Sequence, residues 1–164
     1  MHILIAAIAA IGGLIWAINH LMNGAAEAKS TVRRLRWQGR QGKDVFSELD
    51  DPRVAAVVLL GQLRRYDGDI SQADRVRFTE LVEKEFRTPK AEAEEIVSYG
   101  LYALGQKTDA ANDLAKLLGP IREHCEPSER ADLLRLMTEV CKWDGIANDM
   151  QIDLVDRTRQ RLMD

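Results

Sequence analysis

Apolar and polar positions divide the chain near residue 50. Before it, the sixteen residues from Ile3 to Ile18 (ILIAAIAAIGGLIWAI) carry no polar side chain. After it, apolar residues recur at helical spacing, and no stretch shows sustained period-two alternation between hairpin turns. Asp51-Pro52 opens a helix through Val54, Val57, Val58, Leu60 and Leu63 that stops at Asp67-Gly68. Ser71 caps the next, which carries Val76, Phe78, Leu81, Val82 and Phe86. Thr88-Pro89 starts a third through Ile96, Val97, Leu101 and Leu104. Thr108 caps a fourth, with Leu114, Leu117 and Leu118, that Gly119-Pro120 ends or kinks. Pro127 begins a fifth through Leu133 to Cys141, and a sixth runs from about Asn148 to Leu162. The expected body is all-α.

Sliding the chain on itself by 77 residues reveals a repeat. LGQLRRYDGDISQADRVRFTELVEKEF (60–86) aligns with MTEVCKWDGIANDMQIDLVDRTRQRLM (137–163). Tyr66-Asp67-Gly68 meets Trp143-Asp144-Gly145, Leu63 meets Val140, and Phe78 meets Val155. Each copy is an apolar helix, an aromatic-Asp-Gly turn and an amphipathic helix. Two such units are expected to form one compact domain of two pseudo-symmetric halves, packed around the apolar helices.

The first 50 residues read differently. Extended by Leu21 and Met22, the apolar run reaches about 20 residues, the length of a membrane-spanning helix. Its eight Ile and Leu residues, at roughly −0.5 kcal/mol each, outweigh two glycines. Residues 1–43 carry six basic groups against one acid, Glu27, whereas 44–164 carry 17 basic and 25 acidic groups. Basic flanks stay in the cytoplasm, so the expected arrangement is a single-pass inner-membrane protein with its C-terminal body in the cytoplasm. We divide the chain into an anchor (1–24), a basic neck (25–50) and the helical domain (51–164). Lys29, Arg33, Arg34, Arg36, Trp37 and Arg40 of the neck are the candidate membrane-surface residues, each cation gaining about 1 kcal/mol near anionic headgroups. A plain topogenic signal accounts for the same charges. Two alternatives to the anchor stand: a secretory signal peptide cleaved at Ala26-Glu27-Ala28, giving an exported soluble interaction protein, and a buried core helix. No Lys or Arg precedes the run, which speaks against the first. All-round hydrophobicity speaks against the second. Ala9, Gly13 and Ala17, at spacing four, offer a face for a second anchor helix and so a route to a homo-oligomer.

The doubled turn resembles the TerB-like (tellurite-resistance TerB) family, whose all-helical members carry two halves with an Asp-Gly turn written approximately aDGxIsxxE. Here the copies read YDGDISQAD (66–74) and WDGIANDMQ (143–151), and the resemblance covers roughly residues 50–164. An anchor before such a domain also resembles the N-terminal half of DjlA-type membrane co-chaperones. The His-Pro-Asp motif of their J domain is absent from this sequence, so a co-chaperone role is not implied. The resemblance implies metal-ion binding at the acidic turns and a part in stress responses near the membrane. Asp67 and Asp144 match the motif's Asp. Asp74 shortens its Glu, and Gln151 replaces it with a neutral amide.

Read as chemistry, Asp67, Asp69 and Asp74 bunch three carboxylates around one turn, the oxygen-rich setting that Ca²⁺ or Mg²⁺ takes. With Asp144 they are the candidate metal ligands. An EF-hand is excluded, because Gly68 is not the sixth loop residue and Phe78 stands at the twelfth position. Helix capping competes with this reading. Ser71-x-x-Asp74 is a capping box and Asn148-x-x-Gln151 a looser one, and capping explains both copies where a metal explains the second poorly. His124, Cys125 and Cys141 match no zinc spacing, and two cysteines make no disulfide framework. Glu92, Glu94 and Glu95 read as a solvated helix face. A net charge of −3 and a pI near 5.7 argue against nucleic acid as the main partner. No nucleophile elbow or phosphate loop is present, so the expectation is a non-enzymatic sensor or scaffold with an unidentified protein partner.

Overall fold

A computed structural model describes residues 44–163. The expected anchor, the basic residues of the neck and the candidate cleavage site all lie outside the described residues. Among those described, no helix is long and apolar enough to cross a membrane.

The described residues are helical and contain no strand. After a 3-10 turn at Val45–Glu48 come α1 (Pro52–Arg65), α2 (Gln72–Glu85) and α3 (Lys90–Gly105). A second 3-10 turn at Ala110–Asp113 leads into α4 (Leu114–His124), followed by α5 (Pro127–Val140) and α6 (Asp149–Met163). α1 lies at the centre, packed against α3, α4, α5 and α6. Its sequence demands this: the run Val54 to Leu60 is apolar on every side, and the whole of Pro52 to Leu63 is buried. The apolar helices of the two copies, α1 and α5, pack directly against each other. Gly100 lets α3 approach α1, since a Cβ there would lie 2.6 Å from Val57 Cγ1.

The helix starts follow their capping residues. Asp51 accepts from the Arg53 N–H at 2.8 Å. Ser71 accepts from the Asp74 N–H at 3.1 Å, while Asp74 accepts from the Ser71 N–H at 2.8 Å. The second copy repeats this with amides: Gln151 N–H to Asn148 at 3.0 Å, and Asn148 N–H to Gln151 at 2.9 Å.

Three expectations need correction. Thr108 does not cap α4: Asp109 caps the preceding 3-10 turn, accepting from the Ala111 N–H at 2.9 Å, and α4 follows from Asp113 without a side-chain cap. Of the two outcomes expected at Gly119-Pro120, an end or a kink, the end does not occur, and α4 runs on to His124 with Pro120 inside it. An interior proline costs about 3 kcal/mol. Here Pro120 and Ile121 are both buried, and at roughly 1.5–3 kcal/mol for a full aliphatic side chain this offsets the loss. Finally, Glu92 is not simply solvated. It accepts from Arg53 at 2.9 Å, and Asp51 binds the same guanidinium at 2.7 Å, so that Arg53 keeps its charge at 7% exposure.

Candidate functional site

Gly68 and Gly145 sit at φ 141° and 132°, a region that side chains disfavour. Each lets the chain leave an apolar helix and enter a capped one, as the repeat predicts. The two turns meet, because α1 and α5 pack and the second copy's capping residues reach back to the first turn. Asn148 Nδ2 donates to the Tyr66 carbonyl at 3.2 Å and to Asp67 Oδ1 at 3.0 Å. Gln151, fully buried, donates through Nε2 to Asp67 Oδ2 at 2.7 Å and to the Leu63 carbonyl at 3.0 Å.

The reciprocal contact cannot be made in the same way. The counterpart of Gln151 is Asp74, and a carboxylate has no N–H to donate to Asp144. Arg64 fills that gap. Its Nε donates to Asp74 Oδ1 at 2.8 Å, and its Nη2 lies 2.7 Å from Asp144 Oδ2. Its Nη1, buried and without a hydrogen bond, is ion-paired with Asp67 Oδ2 at 3.7 Å. Arg77 adds a weaker link to Asp144 at 3.8 Å and lies over the Trp143 ring at 4.0 Å. Trp143 in turn packs on Phe78 with centroids 5.0 Å apart.

Electrostatics follow from this geometry. Burial works to raise the Asp74 pKa, but bonds from Arg64 and from the Ser71 hydroxyl and N–H outweigh it and hold the carboxyl below its ordinary value. The hydrogen bond to Asp74 likewise strengthens the hold of Arg64 on its proton. At the position equivalent to Arg64 the second copy has Cys141, buried, with its thiol pushed up to about 11 by burial and by the nearby Asp67 charge. The second copy thus lacks both the acid at 151 and the cation at 141.

Three of the four candidate metal ligands, Asp67, Asp74 and Asp144, therefore do come together, but around a guanidinium. Asp69 is exposed and is not among the carboxylates that Arg64 gathers. Ca²⁺ needs oxygens converging on one point at about 2.3–2.6 Å. These oxygens are instead distributed over three nitrogens of Arg64. Among the described residues, no group of three or more His, Cys, Asp or Glu side chains is placed to hold a metal ion. The arrangement does not fit a resident divalent cation. Sequence reasoning missed Arg64, although the 77-residue alignment carried the signal: Arg64 with Asp74 in one copy, Cys141 with Gln151 in the other.

Away from the turns, Cys125 and Glu129 line a small cavity of about 20 Å³ with Pro52, Arg53 and Phe86, room for a single water. Glu129 is 1% exposed; its Oε2 accepts from the Glu126 N–H at 2.6 Å while its buried Oε1 has no hydrogen bond. Burial raises its pKa, and burial pushes the Cys125 thiol up to about 12.

The fold and site together define a small, internally duplicated all-helical domain with two opposed Asp-Gly turns. The family described as "Tellurite resistance protein TerB" matches residues 53–163, and the chain belongs to it. That match covers the helical body and leaves residues 1–52 aside. No curated protein and no solved structure matches the chain.

Proposed function

We propose that this chain is a membrane-tethered, non-enzymatic interaction module of the TerB family, serving a tellurite-type stress response. Residues 3–22 hold it in the inner membrane, the basic neck lies at the lipid surface, and the acidic body is displayed to the cytoplasm. The single observation that carries this reading is the pairing of both Asp-Gly turns with each other. Their carboxylates and amides are consumed in joining the two halves, so the turns form a rigid structural centre. The reading favours a scaffold over a cation sensor for the same reason. Both thiols, raised to about 11 and about 12, also stay protonated and poorly nucleophilic at neutral pH. What faces a partner is the outer surface, where Tyr102 is 57% exposed.

The test is membrane fractionation of the full chain with intact-mass analysis. Retention of residues 1–28 in an alkaline-washed membrane pellet supports the tether. A soluble, exported chain beginning at Lys29 contradicts it and favours the secreted alternative.

A further inference from the structure

We infer that the end of the body bearing both Asp-Gly turns rests on the lipid headgroup layer, with Ile146 as the side chain that enters it. The inference rests on the membrane tether proposed above and adds which surface the bilayer meets.

The first support is where the neck leaves the body. Asp44, the first described residue, is bound by Lys107 at 3.0 Å and by Lys116, and these hold its carboxyl well below the usual range. Asp113 bridges the same two lysines at 2.9 and 2.7 Å. Phe46, 1% exposed, pins the next turn into the core. The lysine end connects directly to the first Asp-Gly turn. The Lys107 carbonyl accepts from Arg65, the last residue of α1, at 2.9 Å, and the Tyr66 hydroxyl donates to Asp109 at 3.0 Å. The neck therefore leaves at the turn end of α1. The other end of this 14-residue helix, near Cys125, is about 20 Å away at 1.5 Å per residue.

The second support is independent of the neck. Ile146 follows Gly145 in the second turn and is 99% exposed, and Met150, in the first turn of α6, is 55% exposed. Nothing in the body's packing uses Ile146, so its apolar surface is available to an interface. The charges nearby oppose this contact only weakly. Arg64 and Arg77 offset two of the three charges of Asp67, Asp74 and Asp144, and the exposed Arg75 and Lys142 balance the exposed Asp69 and Asp149, so these groups leave a single net negative charge.

The experiment uses the full chain in vesicles of neutral and anionic lipid, some carrying a headgroup nitroxide. Replacing Trp16 and Trp37 with Phe leaves Trp143 as the sole tryptophan. A companion chain has Trp143→Phe as well and Ser128→Trp, placing the reporter on the exposed start of α5 at the far end. Flotation reports the tether, and quenching reports the orientation. The expected result is quenching of Trp143 at least threefold stronger than of the residue-128 reporter, reduced by half or more in Ile146→Asp. Equal quenching in a floated chain, or stronger quenching at 128, overturns the inference and leaves the tether standing. An unquenched Trp143 with a drop in oligomer mass on Ile146→Asp would assign the surface to a second copy and also overturn it. A chain that does not float removes the tether and this inference together.

Discussion

Gly68 and Gly145 take nearly the same backbone angle, and each precedes a helix capped by a reciprocal pair, Ser71 with Asp74 and Asn148 with Gln151. Charge is what separates the two regions. In the second copy an amide meets the opposing Asp67 directly. In the first, a carboxylate faces the opposing Asp144, and the pair holds only because Arg64 lies between them. A duplicated scaffold can therefore keep its backbone and caps while solving the same juxtaposition in two chemical ways. The motif's acid at both positions would leave two acid–acid contacts, each calling for a cation. This chain has removed one contact by an amide and supplied the other from its own α1.

The severest way to break the comparison is Arg64→Met, which strands the 3%-exposed Asp74 and its partners. Removing one partner of a buried pair costs about 3 kcal/mol. Urea denaturation should show that loss at pH 7 and a smaller one in acid. The sign follows from Asp74, whose folded pKa lies below its ordinary 3.8. Its stabilisation is present above that value and fades as pH falls through the folded pKa. Recasting the first copy as the second, Arg64→Cys with Asp74→Gln, should recover part of the loss and give a coupling of about 1 kcal/mol in a double-mutant cycle.

Next in size is Gln151→Glu, which sets a second carboxylate against Asp67, where Cys141 brings no charge and Arg64 comes no nearer than 3.7 Å. We expect about 2 kcal/mol of destabilisation at pH 7. The loss should be relieved by acid or by millimolar Ca²⁺ or Mg²⁺. Gly68→Ala and Gly145→Ala sharpen the other half of the comparison. With the same positive φ, each should cost about 1 kcal/mol, and the two costs should match within error in thermal melts.

The smallest effect is a control of opposite sign. Burial raises the Glu129 pKa above its ordinary 4.5, so its contribution to stability is complete below that value and is lost as pH rises through the folded pKa. Glu129→Gln should therefore stabilise the domain at pH 7 by up to about 1 kcal/mol and do little below about pH 4.5.

Most helix starts were legible because capping is local: Asp51-Pro52, Ser71, Pro127 and Asn148 each announce one within four residues. Thr108 misled because Asp109 beside it is the better acceptor, and Pro120 because its cost is set by burial that no local pattern reports. The repeat located both turns and three of the four gathered groups. Arg64 was hidden by its reach. Its tie to Asp67 is three residues long, but that to Asp144 spans eighty residues and depends on α1 packing against α5. Only the paired change, Arg64 to Cys141 and Asp74 to Gln151, hinted that charge was being balanced within each copy.

The most direct test of the central claim compares wild type and Gln151→Glu in thermal melts, first in EDTA and then through millimolar Ca²⁺ and Mg²⁺. The wild-type curves should superimpose, because Arg64 and Gln151 leave no cation to be bound, while the variant should rise saturably with either metal. A saturable rise in the wild type would contradict the account: a ligand at 100 times its dissociation constant adds about 2.7 kcal/mol. Such a gain would mean that the carboxylates hold a metal in spite of the guanidinium.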